Sequence, residues 1–305
     1  MLGIQVANSV IDYALSLGAD FAELFVEENH VNTISTLSAE VQAVRSGIDF
    51  GIGIRLVYGH KVLYGYTNKI EDTELKRIVR ELATKDRRDP STQRTNFDYR
   101  KISEAHPAKK TLSKDPWIES KIAFLLNADQ NARATSNIIS QTSGSCMQRE
   151  QKIAIFNSEG LHTDDTRHYI RSSLTAYASD GIEQATGSSN DGGLKGWEIE
   201  DEIDAEKTGD EAARQALVNL SAKACPSGRM PVVLGNGFGG VIFHEACGHL
   251  LETTAVAKKA SVFHDQMGEM IASPLVNAVD DGTLPNEWGS INIDDEGLTT
   301  KKTQL

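Results

Sequence analysis

His244, Glu245 and His249 fall within six consecutive residues, His244-Glu245-Ala246-Cys247-Gly248-His249. Imidazole nitrogen is a preferred zinc ligand, and a carboxylate beside the first ligand can take a proton from a water at the ion. These residue types point to metal-dependent hydrolysis: His244 and His249 as metal ligands, Glu245 as general base, Zn2+ as cofactor. The spacing is unusual, because the histidines stand five residues apart rather than four. On a regular α-helix that separation leaves them about 140° apart around the axis. They can share one ion only if a π-bulge or kink absorbs the extra residue, or if the helix ends near Gly248 and His249 reaches back. The plainer alternative is a pair of helix histidines beside a solvated glutamate. Val241-Ile242-Phe243 before the triplet and Leu250-Leu251 after it argue against that, since polar groups buried in an apolar helix are costly unless paired or metal-bound.

The elements that must position the triplet lie just upstream. Met230-Pro231-Val232-Val233-Leu234 reads as a strand, and Gly235-Asn236-Gly237-Phe238-Gly239-Gly240 as a tight turn into a helix. The same glycines match G-x-G-x-x-G, with Asp265 in the place of the ribose-binding acid, so a dinucleotide-binding oxidoreductase is an alternative reading. Against it, no strand–helix alternation follows Asp265. Glu245 would also repel a pyrophosphate at the helix start, and the histidines would have no role.

The run from Gly237 through Phe243-His244-Glu245-Ala246-Cys247-Gly248-His249-Leu250-Leu251-Glu252, continuing in Val256-Ala257-Lys258 and Ser261-Val262-Phe263, resembles the TldD/PmbA family. It resembles the TldD branch, which carries His-Glu-x-x-x-His; the PmbA (TldE) branch lacks it. Asn292-Ile293-Asp294-Asp295-Glu296-Gly297 is similar to a downstream segment of the same family, and the resemblance covers the whole chain. It implies a zinc-dependent, cytoplasmic peptidase acting on unfolded or extended peptides, in a heterodimer with a PmbA/TldE-like subunit; members are also called modulators of DNA gyrase. By the same resemblance His244 and His249 are zinc ligands and Glu245 activates the water. The family's third ligand is a cysteine beyond Leu305, so the chain is expected to be C-terminally truncated. A truncated, inactive chain serving at most as a binding subunit is then the second reading. Cys247, Glu252, His264 and Asp265 are chemically able to replace the missing ligand, but each reads as structural. Cys146 and Cys225 lack ligand spacing and read as small buried thiols.

Composition narrows the classes. The 305 residues carry 31 Lys+Arg against 43 Asp+Glu, a net charge of −12 that disfavours direct nucleic-acid binding. Basic clusters are short: Lys85-Asp86-Arg87-Arg88, read as a solvated helix end, and Lys258-Lys259. No apolar run reaches the roughly 18 residues of a membrane span. The N-terminus lacks a signal-peptide layout, and three scattered cysteines suggest no disulfide framework.

Periodicity predicts helices over 6–17 and 71–84. Strands are expected at 21–27, 31–37, 41–45 and 50–57, and a hairpin turn at Tyr58-Gly59-His60-Lys61 leads into 62–66. Residues 86–113 read as a polar linker or excursion. Asp115 is expected to cap a helix with Pro116 in its first turn, running to about Ala132. Strands follow at 138–149, 152–156 and 168–178, with His162 and His168 as solvated edge residues. Residues 179–196 read as a flexible loop and 204–224 as a helix. The expected fold is α+β: an N-terminal domain, 1–225, of helices on a mainly antiparallel sheet, then the start of a β-rich domain, 226–305, carrying the His-Glu-x-x-x-His helix.

Overall fold

The computed structural model describes residues 2–86, 88–90, 93–236 and 239–305; Arg87, Gly237 and Phe238, noted above, lie outside the described residues. The chain divides into two compact units. One comprises Met1–Ala222 with Asp281–Lys302, the other Lys223–Asp280 with Thr303–Leu305.

The first unit is α+β, built on a seven-stranded sheet. Its strands are β1 (Phe21–Leu37), β2 (Glu40–Tyr58), β3 (Lys61–Thr67), β4 (Asp98–Tyr99), β5 (Ile139–Asn157), β6 (Leu161–Ser179) and β7 (Gln184–Gly193). The order is β3-β2-β1-β5-β6-β4, with β7 also pairing β6. Every pairing is antiparallel except the short β4–β6 contact. The segments expected as separate strands fuse. Residues 21–37, 40–58 and 139–157 each run unbroken, because the polar stretches between their apolar ends keep strand alternation and pair across the ladder.

Helices α1 (Ile4–Ser16), α2 (Asp72–Ala83), α3 (Ile118–Thr135) and α4 (Ala205–Leu220) contribute the cover of one sheet face. Ala7, Val10, Ile11 and Ala14 of α1 meet Leu75 and Val79 of α2 over Leu24, Val26, Ile52, Ile54 and Leu56. Alternate residues of one face do this, as period-two strand geometry requires. Farther along the same face, Ala128 and Ala132 of α3 and Ala212, Ala213 and Ala216 of α4 pack over Leu174, Ala176 and Ala178. Ile34, Leu125, Cys146, Ile170 and Trp197 join below them. The other face holds a smaller cluster of Ile153, Ile155 and Ile293.

Asn292–Gly297 is tied to that second face by polar groups, of which Asn292, Asp165 and Arg167 are buried. Asn292 Nδ2 donates to Asp165 Oδ1 (3.0 Å) and Glu104 Oε1 (3.2 Å), and its Oδ1 accepts from Ala105 N–H (2.9 Å). Arg167 donates to the Ile293 carbonyl (2.8 Å) and pairs with Asp295 (3.0 Å). Arg55 forks onto Glu23 (both bonds 3.0 Å) and reaches Glu296 (2.9 Å).

Several local expectations are corrected. Residues 184–193 are not a loop but β7; their glycines and serines fit where α4 approaches closely, and a Cβ on Gly187 would stand 2.2 Å from the Ala216 nitrogen. α3 starts at Ile118, after Trp117 at φ 53°; Asp115 accepts the Trp117 N–H (2.6 Å) in a local turn instead of capping the helix. His162 and His168 are half-buried rather than solvated edge residues. His162 stacks on Phe156 (4.4 Å between centroids), and His168 lies 3.6 Å from the buried Glu150. Burial pushes both imidazoles below their usual pKa. Arg88 is no free helix end, since it donates to Tyr58 O (2.9 Å) and pairs with Asp86.

In the second unit Met230–Leu234 is irregular and exposed, not a strand. No ladder partner lies beside it among the described residues, and without one an apolar run has no reason to hold a pleat. Helical turns follow in α5 (Gly240–Phe243), α6 (His249–Leu251) and α7 (Thr253–Ala257), with a π-helical segment at His244–Gly248. Short strands β8 (Val279–Asp281) and β9 (Lys302–Gln304) form a separate two-stranded sheet.

Candidate metal centre

The five-residue spacing is resolved by the π-helical segment. His244–Gly248 leaves the α register, His249 closes it, and the His244 carbonyl accepts a backbone N–H at that end. A π turn bonds residues five apart, so its ends stack where α geometry would splay them. The two imidazole centroids consequently lie 4.3 Å apart. One nitrogen of each ring and one Glu245 oxygen lie within 4.8 Å of one another, the group of metal-competent side chains found among the described residues. Of the two routes open from the sequence, the π-bulge is the one taken; Gly248 does not break the helix.

The donor set fits a divalent ion of zinc type, for which two imidazoles and oxygen ligands are suited. Nitrogens bound to one zinc at about 2.1 Å would stand roughly 3–3.5 Å apart. The three side chains are exposed, so rotation about their side-chain bonds is open to them. His249 is already oriented: its Nδ1 is 2.7 Å from Glu252 Oε1, leaving Nε2 on the side of Glu245, 3.9 Å from Oε2. A carboxylate on the far nitrogen fixes ring and tautomer and makes the free nitrogen a better ligand. The hydrogen bond to Glu252, with the charges of Glu252 and Glu245, holds the His249 imidazolium above its usual pKa. Glu252, weighed as a stand-in ligand, is thus engaged behind a histidine.

The remaining stand-ins are not in the group. His264 Nδ1 lies 3.0 Å from the Ser261 carbonyl, and Asp265 is 3.9 Å from the same ring. Cys247 is half-buried and Cys146 buried as expected, but Cys225 is exposed. The expectation that the triplet sits in a buried apolar helix is also corrected. His244, Glu245 and His249 are all exposed, as are Val241, Ile242 and Phe243. The cost of burying polar groups therefore does not explain the triplet; its convergence does.

The dinucleotide alternative loses its footing, because the strand that should precede the glycines is not formed. No helix among the described residues is long and apolar enough to cross a membrane.

Models of the PmbA/TldA metallopeptidase match three stretches: domain 1 over residues 22–84, the central domain over 113–220 and the C-terminal domain over 227–305. The chain is 31% identical over 311 residues to a metalloprotease TldD homolog of Haemophilus influenzae, covering 98% of this chain and 64% of that protein. It is 27% identical over 301 residues to a metalloprotease of Methanocaldococcus jannaschii, covering 97% and 65%. The chain therefore spans just under two thirds of these relatives. In fold it is similar to a Bacteroides thetaiotaomicron protein described as a candidate modulator of DNA gyrase (TM-score 0.81, 15% identity, 98% of this chain and 68% of that one). It is similar also to TldE from Thermococcus kodakarensis (TM-score 0.71, 16% identity, 98% and 67%).

Proposed function

Since the chain belongs to the PmbA/TldA metallopeptidase family, we propose that it carries the zinc site of a peptidase acting on unfolded or extended peptides. The observation that carries this reading is the convergence of His244, Glu245 and His249 across a π turn. His244 and His249 would hold the ion, which when bound supplies Lewis acidity at the scissile carbonyl. Glu245 would take the proton of the attacking water and return it to the departing amine. Glu252 would keep the His249 ring in its binding tautomer. Glu245 cannot be both ligand and base, so a third ligand from outside the cluster is part of this reading.

The partner we propose is a PmbA/TldE-like homologous subunit, a reading supported by the likeness to a TldE fold; the proposed compartment is the cytoplasm. The test is hydrolysis of an unfolded polypeptide that is lost with a chelator and restored by zinc. Glu245→Gln should lower turnover about 10²–10⁴-fold and keep the ion. Absence of chelator-sensitive hydrolysis in zinc-loaded protein supplied with the homologous subunit would overturn the peptidase reading.

A further inference from the structure

Strands β1, β2, β5 and β6 send alternate residues to opposite faces of the sheet. The even-numbered Ile34, Ile54, Cys146 and Ile170 take the helix-covered side, and their odd-numbered neighbours take the other. On that second face the register sets Arg45 opposite Thr33, Thr33 opposite Met147 and Met147 opposite Arg171, one row across four strands. At about 4.8 Å per strand, the backbones of the two arginines stand roughly 14 Å apart. Arg149 lies in the next row, opposite Tyr169, with its guanidinium 5.0 Å from that ring's centroid. On the other side runs a row of hydroxyls, Ser35, Ser145 and Ser173, paired in the same register. Arg45 and Arg171 are exposed, and Thr33, Met147 and the serines are half-buried.

The charge of this patch is not neutralised. Arg55, Arg77, Arg88, Arg94, Arg133, Arg167 and Arg214 each pair with a carboxylate. Arg45, Arg149 and Arg171 pair with none among the described residues, and Arg171 reaches only Asn190 Oδ1, at 3.4 Å. The nearest carboxylate of this face on the four strands is Asp49, two rows from Arg45 and two strands from Arg149. In a chain of net charge −12 carboxylates are plentiful, so a patch free of them is set apart for an anion.

We propose that this face binds an extended stretch of acidic polypeptide, and so selects unfolded substrates rich in Asp and Glu; as a statement about substrates it rests on the peptidase reading above. An extended chain advances about 3.4 Å per residue, with every second side chain on the same side. Carboxylates at i and i+4 of such a chain therefore span the distance from Arg45 to Arg171. The side chain between them comes down over Thr33 and Met147, which carry no charge. Arg149 adds its charge from one flank, and the serine hydroxyls on the other can donate to a carboxylate or accept a peptide N–H. A long polyanion is a poorer occupant. Nucleic acid would meet the acidic remainder of the chain, and Tyr169 offers no free ring to a base, standing between Arg149 and Trp288 (5.4 Å between ring centroids). Two separate carboxylates feel chiefly the charges within a Debye length of about 8–10 Å, which here are arginines.

This face shares no residue with His244, Glu245 and His249. The test reads binding in the presence of a chelator, not hydrolysis, so its failure and that of the peptidase reading are distinguishable. The probe is a fluorescein-labelled glycine–serine peptide carrying two glutamates four residues apart, beside the same peptide with lysines in their place. Fluorescence anisotropy with the purified chain should show saturable binding of the glutamate peptide, at least tenfold tighter than the lysine peptide and weakened by added salt. Arg45→Glu and Arg171→Glu should each weaken the glutamate peptide at least fivefold, and the double variant should prefer the lysine peptide. Arg214→Glu, a reversal of equal charge on α4, should leave both affinities unchanged. Circular dichroism checks that each variant is folded. Absence of saturable binding, equal affinity for the two peptides, or indifference to the reversals at Arg45 and Arg171 would overturn the proposal. So would tighter binding of a single-stranded RNA oligonucleotide or of phosphatidylserine vesicles through the same arginines.

Discussion

The imidazoles of His244 and His249 stand 4.3 Å apart between centroids although five residues separate them, because the backbone between them is π-helical. The metal-binding reading rests on that local departure from α geometry. Each histidine should then matter equally. His244→Ala and His249→Ala should each weaken zinc binding by at least tenfold, measured by calorimetry or competition with a chromogenic chelator.

Glu252 supports the site from behind. Glu252→Gln removes the charged partner that raises the His249 pKa, so that pKa should fall in an NMR titration of the ring. Zinc affinity should drop roughly 10-fold or more, the range seen when such partners are lost. An unchanged affinity would show that Glu252 does not orient the ring.

Glu245→Gln keeps the shape of the side chain and removes its basicity. Zinc binding should persist while turnover falls about 10²–10⁴-fold, the usual worth of a positioned general base. Retained turnover would remove Glu245 from the mechanism.

Lys121 is fully buried, donating to Pro116 O (2.7 Å), Gln148 Oε1 (2.6 Å) and Asn32 Oδ1 (3.4 Å), with no carboxylate among these acceptors. Desolvation pushes its ammonium down to about 8, from 10.5. Between those values the unfolded chain holds more protons than the folded one, so this group makes stability rise with pH through that window. The neighbouring Cys146 thiol, pushed up to about 12 by burial, acts in the opposite direction above pH 9. The difference between wild type and Lys121→Met isolates the lysine. The wild type should gain stability relative to the variant from pH 8 to 10.5, by up to about 3 kcal/mol, in urea denaturation. A constant difference would contradict the assignment.

Gly209 lies where α4 meets α3: a Cβ there would fall 2.3 Å from the Ala128 carbonyl oxygen and 2.8 Å from the Ala132 nitrogen. Alanine is favoured over glycine in a helix by about 1 kcal/mol, but these are backbone atoms that cannot swing aside. Overpacking, worth about 1–3 kcal/mol or more, should win, and Gly209→Ala should lower the thermal midpoint.

The α+β class and the helices α1, α2 and α4 are legible in the sequence, because their apolar spacing matches the helical period and Gly18 and Asp204 mark an end and a start. The length of the strands is not. Polar residues such as Glu28–His30 and Gly47–Asp49 imitate turns, and only the neighbouring strand shows that they continue a ladder. β7 is hidden for a related reason: its glycines meet a helix whose position no local pattern reveals. At the site, residue types and spacing announce the chemistry. The π turn is one of two geometries the spacing allows, and the exposure of the triplet runs against its apolar flanks.

The decisive measurement is zinc bound per chain in the purified protein, titrated beside His249→Ala. Saturable binding of one ion per chain is expected, weakened at least tenfold in the variant. Identical binding by the two proteins would rule out a metal centre held by His244 and His249.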